Sequence, residues 1–307
     1  MQEWLQLKEQ LHAIDGLVVR EDESMSRHTS FRIGGNADHY VVPDVKQLEK
    51  ILRAVRSCPV PLTVIGNGSN LLVGDDGIRG LTVEIGKGMA GISVEGDSVV
   101  AEAGALLARV AKAAAGAGLS GFEFAAGIPG SVGGAVVMNA GAYGGEMKDV
   151  LQSVTVLTRD GELLELPAEA LQLSYRHSCI PQEGYVVVQA RLKLFPSDRQ
   201  QVLAKMAELK EKRVSKQPLE FPSAGSTFKR PEGYFAGKLI EDAGLKGFRV
   251  GDAQVSEKHC GFVINRGAAT AAEVRMLIDE VTGRVKERFG VELEPEVRMV
   301  GVFTKEG

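Results

Sequence analysis

Cysteine, tryptophan and uninterrupted apolar runs are all scarce in this chain. Its three cysteines, Cys58, Cys179 and Cys260, lie far apart, are odd in number and form no C-x-x-C pair. That argues against a disulfide framework and against a cysteine-based zinc site. The five histidines (His12, His28, His39, His177 and His259) show no ligand spacing, so no metal site is expected. No stretch is apolar for long enough to span a bilayer, and Met1 to Gly16 mixes charge into every turn. No membrane insertion and a cytoplasmic location are the corresponding expectations. Neither sign of charge is in large excess: Lys plus Arg number 36 and Asp plus Glu 40, a formal net charge of −4. Such a balance gives no reason to expect nucleic acid or an anionic membrane as a partner. Both common nucleotide-phosphate signatures are missing too. Leu71 sits where G-x-G-x-x-G, begun at Gly66, needs its third glycine. Gly233-Tyr234-Phe235-Ala236-Gly237-Lys238-Leu239 has the wrong spacing for a Walker A loop and no Ser or Thr after its lysine.

What the chain has in abundance is glycine, 37 residues against 11 prolines. The glycines gather at 66–91, 116–145 and 225–251. Clusters of this kind mark places where backbone turns sharply or approaches a ligand. At 307 residues, 44% hydrophobic, the chain is long enough for two or three domains with sizeable cores. Residues 1–20 read as a helix leading into Leu17-Val18-Val19. A short strand follows around Tyr40-Val41-Val42, then a helix opened by Pro43 and Asp44, with Leu48, Ile51, Leu52 and Val55 on one face. Leu62 to Ile65 is a buried strand. Strands are expected at 81–85, 91–95 and 98–103, and a helix at 105–117. Residues 122–145 read as loop and strand, and strands recur at 153–158, 162–166 and 185–194. Pro196-Ser197-Asp198 is a boundary that stops a strand and caps a helix over 199–214. Beyond it come a helix near 234–243, a strand at 262–264, a helix over 271–288 and a strand over 297–303. Strands dominate the first part and helix alternates with strand in the second, which argues α+β with at least two domains.

Two glycine-rich segments carry the chemistry. Gly66-Asn67-Gly68-Ser69-Asn70 follows a strand directly. Successive amides in such a turn can bind phosphate oxygens, with Asn and Ser as extra neutral donors. A tight hairpin is the other reading, although five consecutive turn formers exceed what a hairpin needs. In Ala125-Ala126-Gly127-Ile128-Pro129-Gly130-Ser131-Val132-Gly133-Gly134-Ala135 nearly every side chain is small and none is charged. A buried loop must satisfy its amides. A flat cofactor with a diphosphate would do so; a close strand crossing inside the core is the alternative for part of the segment.

Together the two segments resemble the FAD-binding fold of the vanillyl-alcohol oxidase type. Within that fold the chain resembles the UDP-N-acetylenolpyruvoylglucosamine reductases, nearly end to end. The resemblance runs from Thr29-Ser30-Phe31-Arg32-Ile33-Gly34-Gly35, through both glycine segments, Asn139-Ala140-Gly141-Ala142-Tyr143-Gly144, Ser174-Tyr175-Arg176 and Ala224-Gly225-Ser226-Thr227-Phe228-Lys229, to Glu296-Val297-Arg298. It implies an α+β chain in which 1–196 is a two-subdomain FAD-binding region and 197–292 a smaller substrate domain. Residues 293–307 return to the FAD-binding region. It further implies non-covalent FAD, NADPH as co-substrate, and reduction of a UDP-sugar enolpyruvyl ether to UDP-N-acetylmuramate for peptidoglycan; no particular oligomer is required. The implied catalytic residues are Arg176, Ser226 and Glu296. The implied FAD contacts are Arg32, Gly66, Asn67, Gly68, Ser69, Asn70, Ala125, Gly127, Ile128, Pro129, Gly130, Ser131, Gly133 and Gly134. Tyr175, Arg213 and Lys229 would meet the substrate. Arg213 and Lys216 also admit a plainer reading as a solvated helix end interacting with the dipole. No inserted tyrosine loop is evident in the last third, so the chain resembles the shorter of the family's two types.

The implied chemistry is physically coherent. Reduction passes through an enolate-like state whose carboxylate gains charge. A guanidinium, Arg176, binds a carboxylate in bidentate fashion and stays protonated. A protonated Glu296 could donate to a carboxylate oxygen, a state that burial favours. Ser226 would give the final proton to carbon, helped by positive charge such as Lys229. Two other classes remain open at this point: an alcohol oxidase or dehydrogenase on the same fold, and a non-catalytic nucleotide-binding protein.

Overall fold

The computed structural model describes residues 2–303. Met1 and residues 304–307, which belong to the expected first helix and to the C-terminal segment, lie outside the described residues. In chain order the elements begin with α1 (Gln2–His12), β1 (Arg20–Ser24), β2 (Asn36–Val41), α2 (Val45–Ser57), β3 (Leu62–Ile65), β4 (Leu71–Val73) and β5 (Ile78–Glu84). Next come β6 (Ile92–Glu95), β7 (Ser98–Glu102), α3 (Leu107–Gly116), β8 (Leu119–Ser120), α4 (Val132–Val137), β9 (Gly141–Ala142) and β10 (Gly145–Glu146). Then follow β11 (Leu151–Leu157), β12 (Leu163–Pro167), α5 (Ile180–Glu183), β13 (Val186–Lys193), β14 (Phe195–Pro196) and α6 (Arg199–Lys216). The last are α7 (Ala236–Asp242), β15 (Arg249–Val250), β16 (Ala253–Val255), β17 (Val263–Asn265), α8 (Ala271–Phe289) and β18 (Arg298–Val300).

These elements form two compact units, each assembled from separated stretches of chain. One comprises 1–20, 39–67 and 80–213; the other comprises 21–38, 68–79 and 214–307. The first unit is built on a five-stranded antiparallel sheet in the order β12-β11-β13-β7-β6. Its β3 pairs with β5 in parallel, Leu62 opposite Leu81. Its core takes Leu48, Ile51 and Leu52 from α2, Val110 and Ala111 from α3, and Val154, Val156 and Val188 from the sheet. Helix α2 starts where the sequence says it should: Asp44 accepts from the Gln47 amide at 2.8 Å and Gln47 returns the bond, a complete capping box.

The second unit packs α8 and α7 with the antiparallel strands β15-β16-β17. Val274, Leu277, Ile278, Val281 and Val285 of α8 are fully buried, as their helical spacing requires. Phe31, Ile33 and Leu72 join this core from the early part of the chain. Strand β4 pairs in parallel with β18, Leu71 opposite Arg298, and the Asp75 carboxylate accepts from Ala271 and Ala272 at the start of α8.

Three expectations need correction. The first helix ends at His12, because the chain turns at Gly16 (φ 69°), and β1 follows. Residues 122–145 are not loop and strand throughout. They contain α4, whose Gly133 and Gly134 lower intrinsic helix propensity and hide it from a periodicity reading. The last strand spans only Arg298–Val300 of the expected 297–303. Among the described residues no helix is long and apolar enough to cross a membrane.

Candidate functional site

In the first unit the two glycine segments meet. The Asn67 side chain donates to the Pro129 carbonyl at 2.7 Å. Gly66 faces Ser131 so closely that a Cβ there would lie 2.7 Å from the Ser131 Oγ. The second segment is tied down by backbone bonds. Leu107 N–H donates to Gly130 O at 3.0 Å, Val132 N–H to Ala105 O at 2.9 Å and Gly133 N–H to Ala103 O at 2.8 Å. Protein backbone therefore satisfies the amides of Val132 and Gly133, in a close crossing inside the core made by the start of α4 rather than by a strand. The buried Gly133 permits it, since a Cβ would sit 3.0 Å from that of Ala103. Ala125 is fully buried. Gly127, Pro129 and Gly134 are exposed, and Ile128 and Gly130 half-buried.

The Ser131 side chain stands apart from these bonds. Ser131 is 2% exposed, stands immediately before α4 without capping it, and its Oγ has no partner among the described residues. An unmet buried hydroxyl costs about 1–3 kcal/mol. A polar ligand group in the notch left by Gly66 would meet it. The notch, the lone hydroxyl and the uncharged lining suit the polar part of a flavin nucleotide. Arg213 lies against the same loop: a Cβ on Gly127 would come 3.1 Å from the Arg213 Cδ. Arg213 is half-buried against this loop rather than fully solvated, and that burial pulls its guanidinium pKa down.

Tyr175 and Arg176 also belong to the first unit. They are the central pair of a two-residue turn in which Ser174 and His177 exchange both backbone bonds, at 3.2 and 3.1 Å. Arg176 adopts φ 56°, left-handed and unusual for a non-glycine residue. Its guanidinium carbon lies 5.0 Å from the centre of the exposed Tyr175 ring.

The second unit holds Ser226 and Glu296. The segment after Ser226 pairs with the segment ending at Glu296: Glu296 N–H donates to Thr227 O at 2.8 Å, and Lys229 N–H to Glu294 O at 2.8 Å. Thr227, 1% exposed, fixes this arrangement from below. Its amide donates to Gly261 O, and its Oγ1 accepts from Val263 N–H at 2.8 Å. Ser226 itself is exposed and Glu296 half-buried. The Asn70 side chain donates to the Glu296 carbonyl at 3.1 Å, and Arg298 N–H donates to Asn70 O at 2.9 Å. Lys229 is ion-paired with the exposed Glu294, which offsets the positive field expected of it. Gly68 (φ 61°) presses on the chain at His28, where a Cβ would meet the carbonyl oxygen at 1.8 Å, and its own carbonyl accepts from Ser30 N–H at 3.2 Å. Ser69 is half-buried. Arg32 is exposed, at φ 55°. Thr227 and Asn139, the latter fully buried beside the Ser174 turn, were not singled out as site residues. Buried polar side chains inside glycine-rich motifs give no separate signal in a single sequence. Among the described residues no group of three or more His, Cys, Asp or Glu could hold a metal ion.

Comparison with known proteins places this geometry. Residues 37–167 match the FAD binding domain family, and residues 217–300 match the UDP-N-acetylenolpyruvoylglucosamine reductase C-terminal domain family. A UDP-N-acetylenolpyruvoylglucosamine reductase of Agathobacter rectalis is 60% identical over 94% of this chain and 95% of its own length. That of Lachnoclostridium phytofermentans is 55% identical over 91% and 92%. The crystal structure of the Thermus caldophilus reductase superposes with a TM-score of 0.79 at 37% identity, covering 92% of this chain and 98% of that one. The expected mixed helix-and-strand fold, with an FAD-binding domain ahead of a C-terminal domain, is thereby borne out, and so is FAD as the cofactor. With both domain matches in order and such identity along nearly its whole length, the chain belongs to the UDP-N-acetylenolpyruvoylglucosamine reductase family, FAD-dependent oxidoreductases of peptidoglycan synthesis.

Proposed function

We propose that the chain reduces UDP-N-acetylglucosamine enolpyruvate to UDP-N-acetylmuramate with NADPH, and that Arg176, Ser226 and Glu296 carry the reduction. The chemistry that bound FAD supplies is hydride transfer, from NADPH to the terminal carbon of the enolpyruvyl group. Gly66, Asn67 and Ser131 would hold it without a covalent bond, since neither 66–70 nor 125–135 contains a histidine or cysteine. Arg176 binds the substrate carboxylate, where negative charge develops, and its fixed guanidinium fork suits the two oxygens. Glu296, in its protonated form, donates to a carboxylate oxygen. The Ser226 Oγ gives its proton to the carbon next to the carboxylate and regains one from water. Arg213 and Tyr175 contact the substrate.

The observation that supports this reading most directly is the Thr227–Glu296 pairing, which holds a hydroxyl donor and a carboxyl group on adjoining backbone. The test is an anaerobic absorbance series on the purified holoenzyme. NADPH should bleach the flavin, and the enolpyruvyl substrate should restore its colour. Ser226→Ala should keep the bleaching and lose the restoration by about 10²-fold or more. Normal restoration in that variant would remove the serine from the mechanism. Release of unmodified FAD on denaturation checks the non-covalent attachment.

A further inference from the structure

Asn139 is 0% exposed and lies in the left-handed region at φ 41°, where asparagine is better tolerated than most residues. Both donors of its amide and its oxygen are bonded to protein groups. Its Nδ2 donates to Glu146 Oε2 at 2.6 Å and to the Ser174 carbonyl at 3.1 Å, and its Oδ1 accepts from Lys148 N–H at 2.9 Å. The carboxylate it binds is itself anchored, with Lys148 Nζ 2.6 Å from Glu146 Oε1. The hydrogen bond to Glu146 raises the Lys148 pKa. The Ser174 carbonyl that Asn139 grips also closes the Tyr175-Arg176 turn by accepting from His177 N–H. On the other flank the buried Ser178 donates through Oγ to the Val137 carbonyl at 2.7 Å. Both anchors, Val137 and Asn139, stand at the end of α4, which begins directly after Ser131. The turn that presents Arg176 is thus mounted on the same short helix that starts at the flavin loop.

We infer that Asn139 is a positioning residue for Arg176: one buried amide joins the end of α4, the Glu146–Lys148 ion pair and the Ser174 turn, and so sets the guanidinium against the substrate carboxylate. The inference rests on Arg176 being the carboxylate-binding group. It is needed physically because φ 56° is a strained choice for arginine, and a strained turn holds its place only when its surroundings over-determine it. A misplacement of roughly 1 Å in a group of this kind can cost about 10²-fold in rate.

The test uses Asn139→Asp and Asn139→Ala in the holoenzyme. Flavin reduction by NADPH should stay within about twofold of the parent, while reoxidation by the enolpyruvyl substrate should fall by about 10²-fold. The aspartate variant keeps the volume, and so carries the test if the alanine variant fails to fold. It sets a second carboxylate against Glu146, and a proton shared between the two restores one donor. Its defect relative to the parent should therefore shrink as the pH is lowered. Hydrogen exchange of the His177 amide, measured without FAD, should be faster in both variants. In a double-mutant cycle, Asn139→Asp should add little to Arg176→Lys. Additive losses, or unchanged His177 exchange, or a defect that is independent of pH and tracks only a lower melting temperature, would overturn the inference. If Arg176→Lys turns over normally, it is the reading of Arg176 that fails and the inference falls with it.

Discussion

At the scale of single residues, strain marks the site. Among the described residues, six non-glycine residues adopt positive φ: Asp22, Arg32, Asn139, Tyr143, Gln172 and Arg176. Four of these, Arg32, Asn139, Tyr143 and Arg176, fall inside the motifs that carried the family resemblance. A left-handed conformation costs a residue with a Cβ roughly 1–2 kcal/mol, and a protein retains that cost most often where geometry serves function. Arg176→Gly separates the two quantities. Glycine accepts φ 56° without penalty, so the variant should lose no stability and should gain up to about 1 kcal/mol, read as an unchanged or raised urea midpoint. Restoration of oxidised flavin by substrate should fall by about 10²–10³-fold, the usual effect of deleting one charge-stabilising donor. A variant that is both less stable and fully active would contradict each half of this argument. Little of it was legible in the sequence. The type of Arg176 was visible and its φ was not, because no local rule places arginine in that region. Ser226 and Glu296 stand 70 positions apart, and only the resemblance set them in one constellation before the Thr227–Glu296 bond gave it a physical basis.

At the scale of elements, legibility follows how far each element makes itself. Helix α2 carries its own capping box and apolar stripe, and α8 carries Thr270 capping with Glu273 and five core residues at helical spacing. Both could be read locally. Strand β4 could not, because its three residues owe their conformation to β18, more than two hundred positions later. Helix α8 also has a support invisible to local reading: Asp75, whose two oxygens accept from Ala271 and Ala272 at 2.8 and 2.9 Å. A carboxylate there satisfies two free helix donors and meets the positive end of the dipole. Asp75→Ala should cost about 1–2 kcal/mol, measured as a lower urea midpoint at unchanged m-value. Asp75→Asn, with one acceptor, should recover part of the loss. The link between β16 and β17 gives a pH-dependent case. Burial lowers the His259 pKa from its ordinary value, with nearby Lys216 acting the same way. The geometry agrees, since Nδ1 accepts from Gly261 N–H at 3.1 Å and so carries no proton. Below about pH 6.5 the unfolded chain takes up a proton at this histidine that the folded chain resists. The contribution of His259 is therefore present above that pH and lost as the pH falls towards the folded value. The urea midpoint should drop between about pH 7 and pH 5.5, and less so in His259→Asn, which keeps an acceptor but does not titrate. Parallel pH profiles for the two proteins would show that His259 is not the group responsible.

At the scale of the whole molecule, neither compact unit is a single continuous stretch of chain. The chain passes between its units at 20–21, 38–39, 67–68, 79–80 and 213–214. A reading along the sequence draws boundaries as points, so it registers a change near 196 and has no way to register the short excursions 21–38 and 68–79. Those excursions matter energetically. The second unit takes Phe31 (0% exposed), Ile33 (3%) and Leu72 (0%) into its core from outside 214–307. It takes from the same source β4, the strand to which β18 pairs, and the Asp75 carboxylate at α8. Burying each of the three side chains contributes roughly 1.5–3 kcal/mol, together about 5–9. That is comparable with the entire stability of a typical domain, about 5–15 kcal/mol. Residues 197–307 expressed alone should therefore fail to fold, with collapsed amide proton dispersion and no cooperative urea transition. Mixing that fragment with residues 1–196, which carry 21–38 and 68–79, should restore a dispersed spectrum by supplying the missing core and strand. A sharp, cooperative transition in the isolated fragment would mean that 214–307 closes its own core without Phe31, Ile33 and Leu72, and that the early excursions serve the ligand site rather than the fold.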